Sequence, residues 1–156
     1  MEMEARMVSG KLIHLIETHQ EEIATSVIHE IRHHPDLVHL RKLPDAELRE
    51  RGQQILENLG HWLGAGHEAE IAQRYEVLGK ARFEESIPLH ESVRALSIVK
   101  DKMIDFIGEQ GLTTTSMELY AEEEFERRIG RFFDVLIIHM VRGYENAWRR
   151  AAHATA

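Results

Sequence analysis

From residue 116 to residue 150 the chain keeps an amphipathic helical pattern, with no proline to interrupt it. At ~1.5 Å per residue such a helix is roughly 50 Å long. A compact domain of this size has a radius of gyration near ~15 Å, so the helix is as long as the whole domain or longer. At about 100° per residue, Phe125, Ile129, Phe132, Leu136 and Gly143 form one stripe, and Phe133, Ile137, Tyr144 and Trp148 form a second beside it. Together they cover about half the circumference, wider than the ~100° that packing against one core requires. Two packings satisfy that breadth. Either this is the central helix of the fold, buried on most sides, or the first stripe faces the core and the second faces a partner chain. The second packing makes Phe133, Ile137, Tyr144 and Trp148 the candidate dimer interface.

The same periodicity runs through the rest of the chain, and alternation at period two is nearly absent. Six helices are predicted. Ser9 is placed as the N-cap of a short first helix carrying Leu12, Ile13 and Ile16. A second starts near Gln20, buries Ile23, Val27, Ile28 and Ile31, and is ended by Pro35. Pro44 opens a third, which is expected to run to Leu63 before Gly64 and Gly66 break it. The fourth covers about 68–83, and Ser86-Ile87-Pro88 marks a break. Pro88 opens the fifth, which carries Val93, Leu96, Val99, Met103 and Phe106 and is closed by Gly108 and Gly111. Thr113, Thr114, Thr115 and Ser116 supply capping hydroxyls for the last helix, with Glu118 in its first turn. The expected fold class is all-α, as a single domain over residues 1–156.

Composition removes several function classes. The content is 43% hydrophobic and 29% charged, which suits a folded protein and excludes wholesale disorder. Lys+Arg 19 against Asp+Glu 27 gives a formal charge of -8, which repels a phosphate backbone and argues against nucleic-acid binding. The chain has no cysteine, hence no disulfide, thiolate nucleophile or cysteine metal site. Residues 1–7 carry Glu2, Glu4 and Arg6 without the apolar run of a signal peptide. No segment approaches the ~20 apolar residues that span a bilayer. A soluble, cytoplasmic chain with no membrane contact is expected.

One motif carries chemistry on its face. His29-Glu30-Ile31-Arg32-His33 spells H-E-x-x-H, two imidazoles on one helix face with a glutamate between them, and His39 falls where some zinc proteases have a third ligand. Asp36 occupies the position where those enzymes have glycine, however, and Pro35 stops the helix at once. Metal binding at His29 and His33 is at most incidental, and His33 and His34 suit a helix C-terminus. The other histidines (His14, His19, His61, His67, His90, His139 and His153) show no ligand spacing. The run Glu122-Glu123-Glu124 with Glu126 is expected to be a solvated face near a helix N-terminus. A phosphate loop and a nucleophile elbow are both absent, so nothing calls for an enzyme.

The stretch Arg74-Tyr75-Glu76-Val77-Leu78-Gly79-Lys80-Ala81-Arg82-Phe83, continuing through Ile87-Pro88, resembles the middle of the globin-coupled sensor family. There the pattern is roughly Y-x-x-I-G-x-x-H-x-x-x-G-I-x-P, and its histidine ligates haem iron. Tyr75, Leu78, Gly79 and Ile87 follow it, Pro88 comes one place early, and the ligand position is Arg82. A guanidinium has no lone pair for iron. The run Ile87-Pro88-Leu89-His90-Glu91-Ser92-Val93-Arg94-Ala95-Leu96 is similar to I-P-L-x-E-x-x-R-A-L of RsbR-type amino-terminal domains, as are Glu22-Ile23-Ala24 and Leu43-Pro44. That resemblance implies a haem-less, globin-like sensory domain of a stressosome co-antagonist. Such a domain has no cofactor, forms a homodimer, and passes a signal through its long C-terminal helix to other regulatory proteins or to a following STAS output domain. No STAS segment follows here before Ala156, which suits either an excised sensory domain or a stand-alone relative. The alternative is a haem-binding gas sensor that uses a different histidine, such as His90 or His139.

Overall fold

The computed structural model describes residues 2–111 and 114–154. The helices are α1 (Glu2–Thr18), α2 (Gln20–His33), α3 (Asp45–Leu56), α4 (Leu59–Leu63), α5 (Glu68–Glu84), α6 (Leu89–Glu109) and α7 (Ser116–Ala154), with a 3-10 turn at Leu40–Lys42. There is no strand among the described residues. The expected all-α class with a long last helix is what forms: α7 has 39 residues, a rod of about 58 Å at ~1.5 Å per residue.

Several boundaries differ from those read in the sequence. Ser9 is not a cap, because α1 already begins at Glu2 and runs through it. The third predicted helix is two helices: α3 stops at Leu56, and after Asn58 the chain restarts as α4. Neither Glu57 nor Asn58 is a strong breaker, which is why periodicity ran straight across them. Gly108 lies inside α6, and Gly111, at φ 59, comes just after it. Thr115 caps α7 by accepting the Glu118 N–H at 3.1 Å, and the Thr114 and Thr115 hydroxyls both reach the Glu118 carboxylate. Thr113 lies outside the described residues.

Pro44 and Pro88 play matching parts. Each stands in an extended conformation just before its helix, and its carbonyl accepts the first helical N–H groups. Between α5 and α6 the chain turns through Ser86 at φ 60. Ile87 N–H reaches the Arg82 carbonyl and Ser86 N–H that of Phe83, both at 3.0 Å, the paired bonds of a Schellman ending.

The core joins Ile23, Val27 and Ile31 of α2, Leu56 of α3, Met103 and Ile107 of α6, and Phe125, Ile129, Phe133 and Leu136 of α7. α7 is its spine. It packs along α5 more extensively than any other pair of helices packs, and α1 and α6 lie on it as well. The α5–α7 crossing is backbone against backbone. A Cβ on Gly79 would stand 2.0 Å from the Met140 carbonyl oxygen, and one on Gly143 would stand 2.0 Å from that of Glu76.

Candidate functional site

The first stripe read on α7 (Phe125, Ile129, Phe132, Leu136 and Gly143) is buried, as the core assignment requires. The second stripe divides. Phe133 is fully buried and has no surface for a partner, so it belongs to the core. The reason is rotational: Phe133 lies about 60° around the helix from Trp148, on the core side. Tyr144 is half-buried and meets the Phe83 ring edge-on at 5.3 Å. Ile137 is also half-buried, whereas Trp148 is 58% exposed. Ile138, which the stripe omitted, is 55% exposed. Ile137, Ile138 and Val141 form an open groove with Arg142, Glu145 and Arg149 along this face.

Arg82 is the one buried cation among the described residues, 5% exposed, on the last turn of α5. Its Nη1 donates to Glu47 Oε1 of α3 at 2.9 Å and to both Glu85 carboxylate oxygens at 3.2 Å. Two carboxylates thus neutralise the guanidinium, which is the usual condition for a buried charge. It ties α5 to α3 beside a cavity of about 60 Å³. Val27, Ile31, Leu48, Ile55, Leu78, Leu96 and Met140 give this cavity a mostly apolar wall, and Gln54, Tyr75, Ser92 and the arginines Arg51, Arg74 and Arg82 add polar groups. Burial pushes the Tyr75 phenol well above its ordinary range, although the nearby Arg51 and Arg74 charges pull the other way. The Ser92 hydroxyl is buried and has no hydrogen-bond partner among the described residues, so a donor or acceptor entering the cavity would find one waiting.

Haem does not fit this site. The space, about 60 Å³, is far below the ~300 Å³ at which ligand clefts begin. Among the described residues, no histidine lines it. His90 is exposed at the start of α6. His139 sits against α5 with Nδ1 3.3 Å from Glu76 Oε2, too poorly aligned to count as a hydrogen bond.

Glu91, quoted in the sequence only as part of a motif, is a completely buried carboxylate. It accepts the N–H groups of His39 and Leu40, both at 2.9 Å, and His39 Nδ1–H at 2.6 Å. Burial pushes its pKa up, but the Leu40 amide and the His39 ring and amide together outweigh that and hold it below the ordinary glutamate value. This clamp fastens the first turn of α6 to the 3-10 turn. It also takes His39 away from any metal role beside His29 and His33. Those two rings lie 4.4 Å apart, His33 Nδ1–H donates to the His29 carbonyl, and Glu30 pairs with Lys102 at 3.2 Å. Among the described residues, the H-E-x-x-H residues therefore do not gather a third ligand.

Glu126 departs from the solvated acidic face expected there. It is half-buried, and burial first, then Glu122 and Glu123, push its carboxyl up.

Sequence reading missed one cluster. His61, His67 and Glu70 bring one ligand atom each to within 4.8 Å of one another. Only the His67–Glu70 spacing of one helical turn hinted at it, because the approach of His61 depends on the turn through Gly64 and Gly66.

What the fold and the site define is an all-helical domain with a small apolar cavity under a neutralised arginine and a spine helix crossing it, with no helix among the described residues long and apolar enough to cross a membrane. The family model of the RsbT co-antagonist protein rsbRD N-terminal domain matches residues 21–156, and the chain belongs to that family. This is a regulatory domain family, not an enzyme family, in agreement with the RsbR-type resemblance. No curated protein and no solved structure matches the chain.

Proposed function

We propose that residues 1–156 form one sensory domain with a globin-like arrangement that has lost haem, and that it acts as a homodimer relaying a signal through α7. The carrying observation is a mechanical one. α5 supplies Tyr75, Leu78 and Arg82 to the cavity, and the same helix is pressed backbone-to-backbone on α7 at Gly79 and Gly143. A change in cavity occupancy that moves α5 must therefore move α7 or strain the crossing. Met140, which lines the cavity from α7 itself, adds a direct contact. The stimulus in this reading is a small, largely apolar molecule whose one polar atom meets Ser92.

The exposed groove of Ile137, Ile138 and Val141, with Trp148 on the same side, is the proposed face for a second copy. The relayed change would reach other regulatory proteins of a stressosome-type assembly or an output domain, in the cytoplasm. No catalytic step is part of this reading.

Two measurements test it. Sedimentation should give a dimer that Ile138→Glu with Trp148→Glu converts to a monomer of unchanged helicity. Xenon, a small probe that enters apolar cavities, should alter amide exchange in residues 137–150. A monomer at every workable concentration removes the dimer, and unaltered exchange under xenon removes the relay.

A further inference from the structure

We propose that His61, His67 and Glu70 form a binding site for a divalent transition cation, Zn²⁺ in the first instance, at the junction of α4 and α5. His61 Nε2 is 3.5 Å from Glu70 Oε2, and His67 Nδ1 is 4.0 Å from the same oxygen. Donors around tetrahedral zinc at ~2.0–2.1 Å lie about 3.4 Å apart, so the cluster needs only small side-chain rotations to close. All three side chains reach solvent, at 45%, 31% and 43% exposure, which leaves them free to make those rotations and the cation free to keep a water.

The donor set selects the class of ion. Two imidazoles and one carboxylate suit zinc and its neighbours, whereas calcium and magnesium require oxygen ligands. His₂Glu with an open fourth position is an established zinc arrangement. Glu70 is already aimed: Arg74 holds its Oε1 at 3.4 Å, leaving Oε2 toward the histidines. The two imidazole rings lie with centroids 3.8 Å apart, a contact that protonation would make repulsive and a shared cation would make useful. The N-terminus of α5 opposes a cation here, but that effect amounts to about two- to fivefold in affinity. The His29–His33 pair lacks this convergence.

Trp62 provides the readout. His61 stands edge-on to its ring at 4.9 Å, and Arg74 lies over it at 5.1 Å. In the full chain carrying Trp148→Phe, Trp62 is the only tryptophan left. Co²⁺ titrated at about pH 7.5 should quench its fluorescence with micromolar affinity and give the visible bands of a low-coordinate site. Zn²⁺ should compete with Co²⁺ and raise Tm.

His61→Ala and His67→Ala should each weaken binding at least about tenfold while leaving the metal-free Tm unchanged, and His29→Ala with His33→Ala should leave binding intact. Absence of saturable binding, binding that survives both His61→Ala and His67→Ala, or binding abolished by the His29/His33 pair overturns the proposal. None of these outcomes bears on the dimer or the cavity.

Discussion

Gly79 and Gly143 face each other's helices across the α5–α7 crossing so closely that neither position has room for a Cβ. The obstruction at each is a backbone carbonyl in the opposite helix, which no rotamer change can move aside. Gly79→Ala and Gly143→Ala should each cost at least ~3 kcal/mol, the upper end of overpacking effects. The double variant should cost less than the sum, since the first methyl already separates the helices. Gly130→Ala, on the same α7 with open space at its Cβ, is the control and should be neutral or stabilising. Urea unfolding of the four proteins checks this, and a control as unstable as the crossing variants would count against it.

Gly52 lines the cavity from the interior of α3, and a Cβ there would meet nothing within 4 Å. Helix interiors favour alanine over glycine by up to ~1 kcal/mol. Gly52→Ala should therefore raise stability by about that amount while shrinking the cavity. Thermal unfolding reads the first effect and weaker xenon uptake the second.

Glu91 should make stability depend on acid. Its pKa in the folded chain lies below the ordinary value of 4.5, so its contribution is fully present above that value and is lost as pH falls through the folded pKa. Glu91→Gln keeps an acceptor for the two amides but not the charge. It should cost about 1–3 kcal/mol at neutral pH and flatten the acid limb of a stability–pH curve relative to wild type. Parallel curves for the two proteins would refute the assignment.

Ser86 holds a left-handed conformation that costs a non-glycine residue ~1–2 kcal/mol. Glycine avoids that cost but loses more entropy on folding. Ser86→Gly should still gain about 0.5–1 kcal/mol, seen as a higher urea midpoint with an unchanged slope.

Helical periodicity carried most of the architecture. The apolar spacing of α2, α6 and α7 identified Ile23, Val27, Met103, Phe125 and Ile129 as core without any coordinates, because a helix face is a property of its own sequence. Prolines at 35, 44 and 88 and the turn at Ser86 marked real ends for the same local reason. The α3–α4 break escaped notice because Glu57 and Asn58 leave helix without a strong local signal. Phe133 was misplaced because a stripe drawn at the edge of a core can fall to either side, and only the neighbouring helices decide which.

Arg82 was legible as a residue unable to bind iron, but its partners were not. Glu47 comes from a helix far back in the chain, just as Glu91 reaches the amides of His39 and Leu40. What this sequence determined alone was which segments are helical, which faces are apolar, and which chemistries its residue types forbid. The close approach at Gly79 and Gly143, the small cavity, the Glu91 clamp and the gathering of His61, His67 and Glu70 were decided by tertiary structure. Each of these is a distance between segments remote in sequence, and such distances arise only when helix faces are packed together.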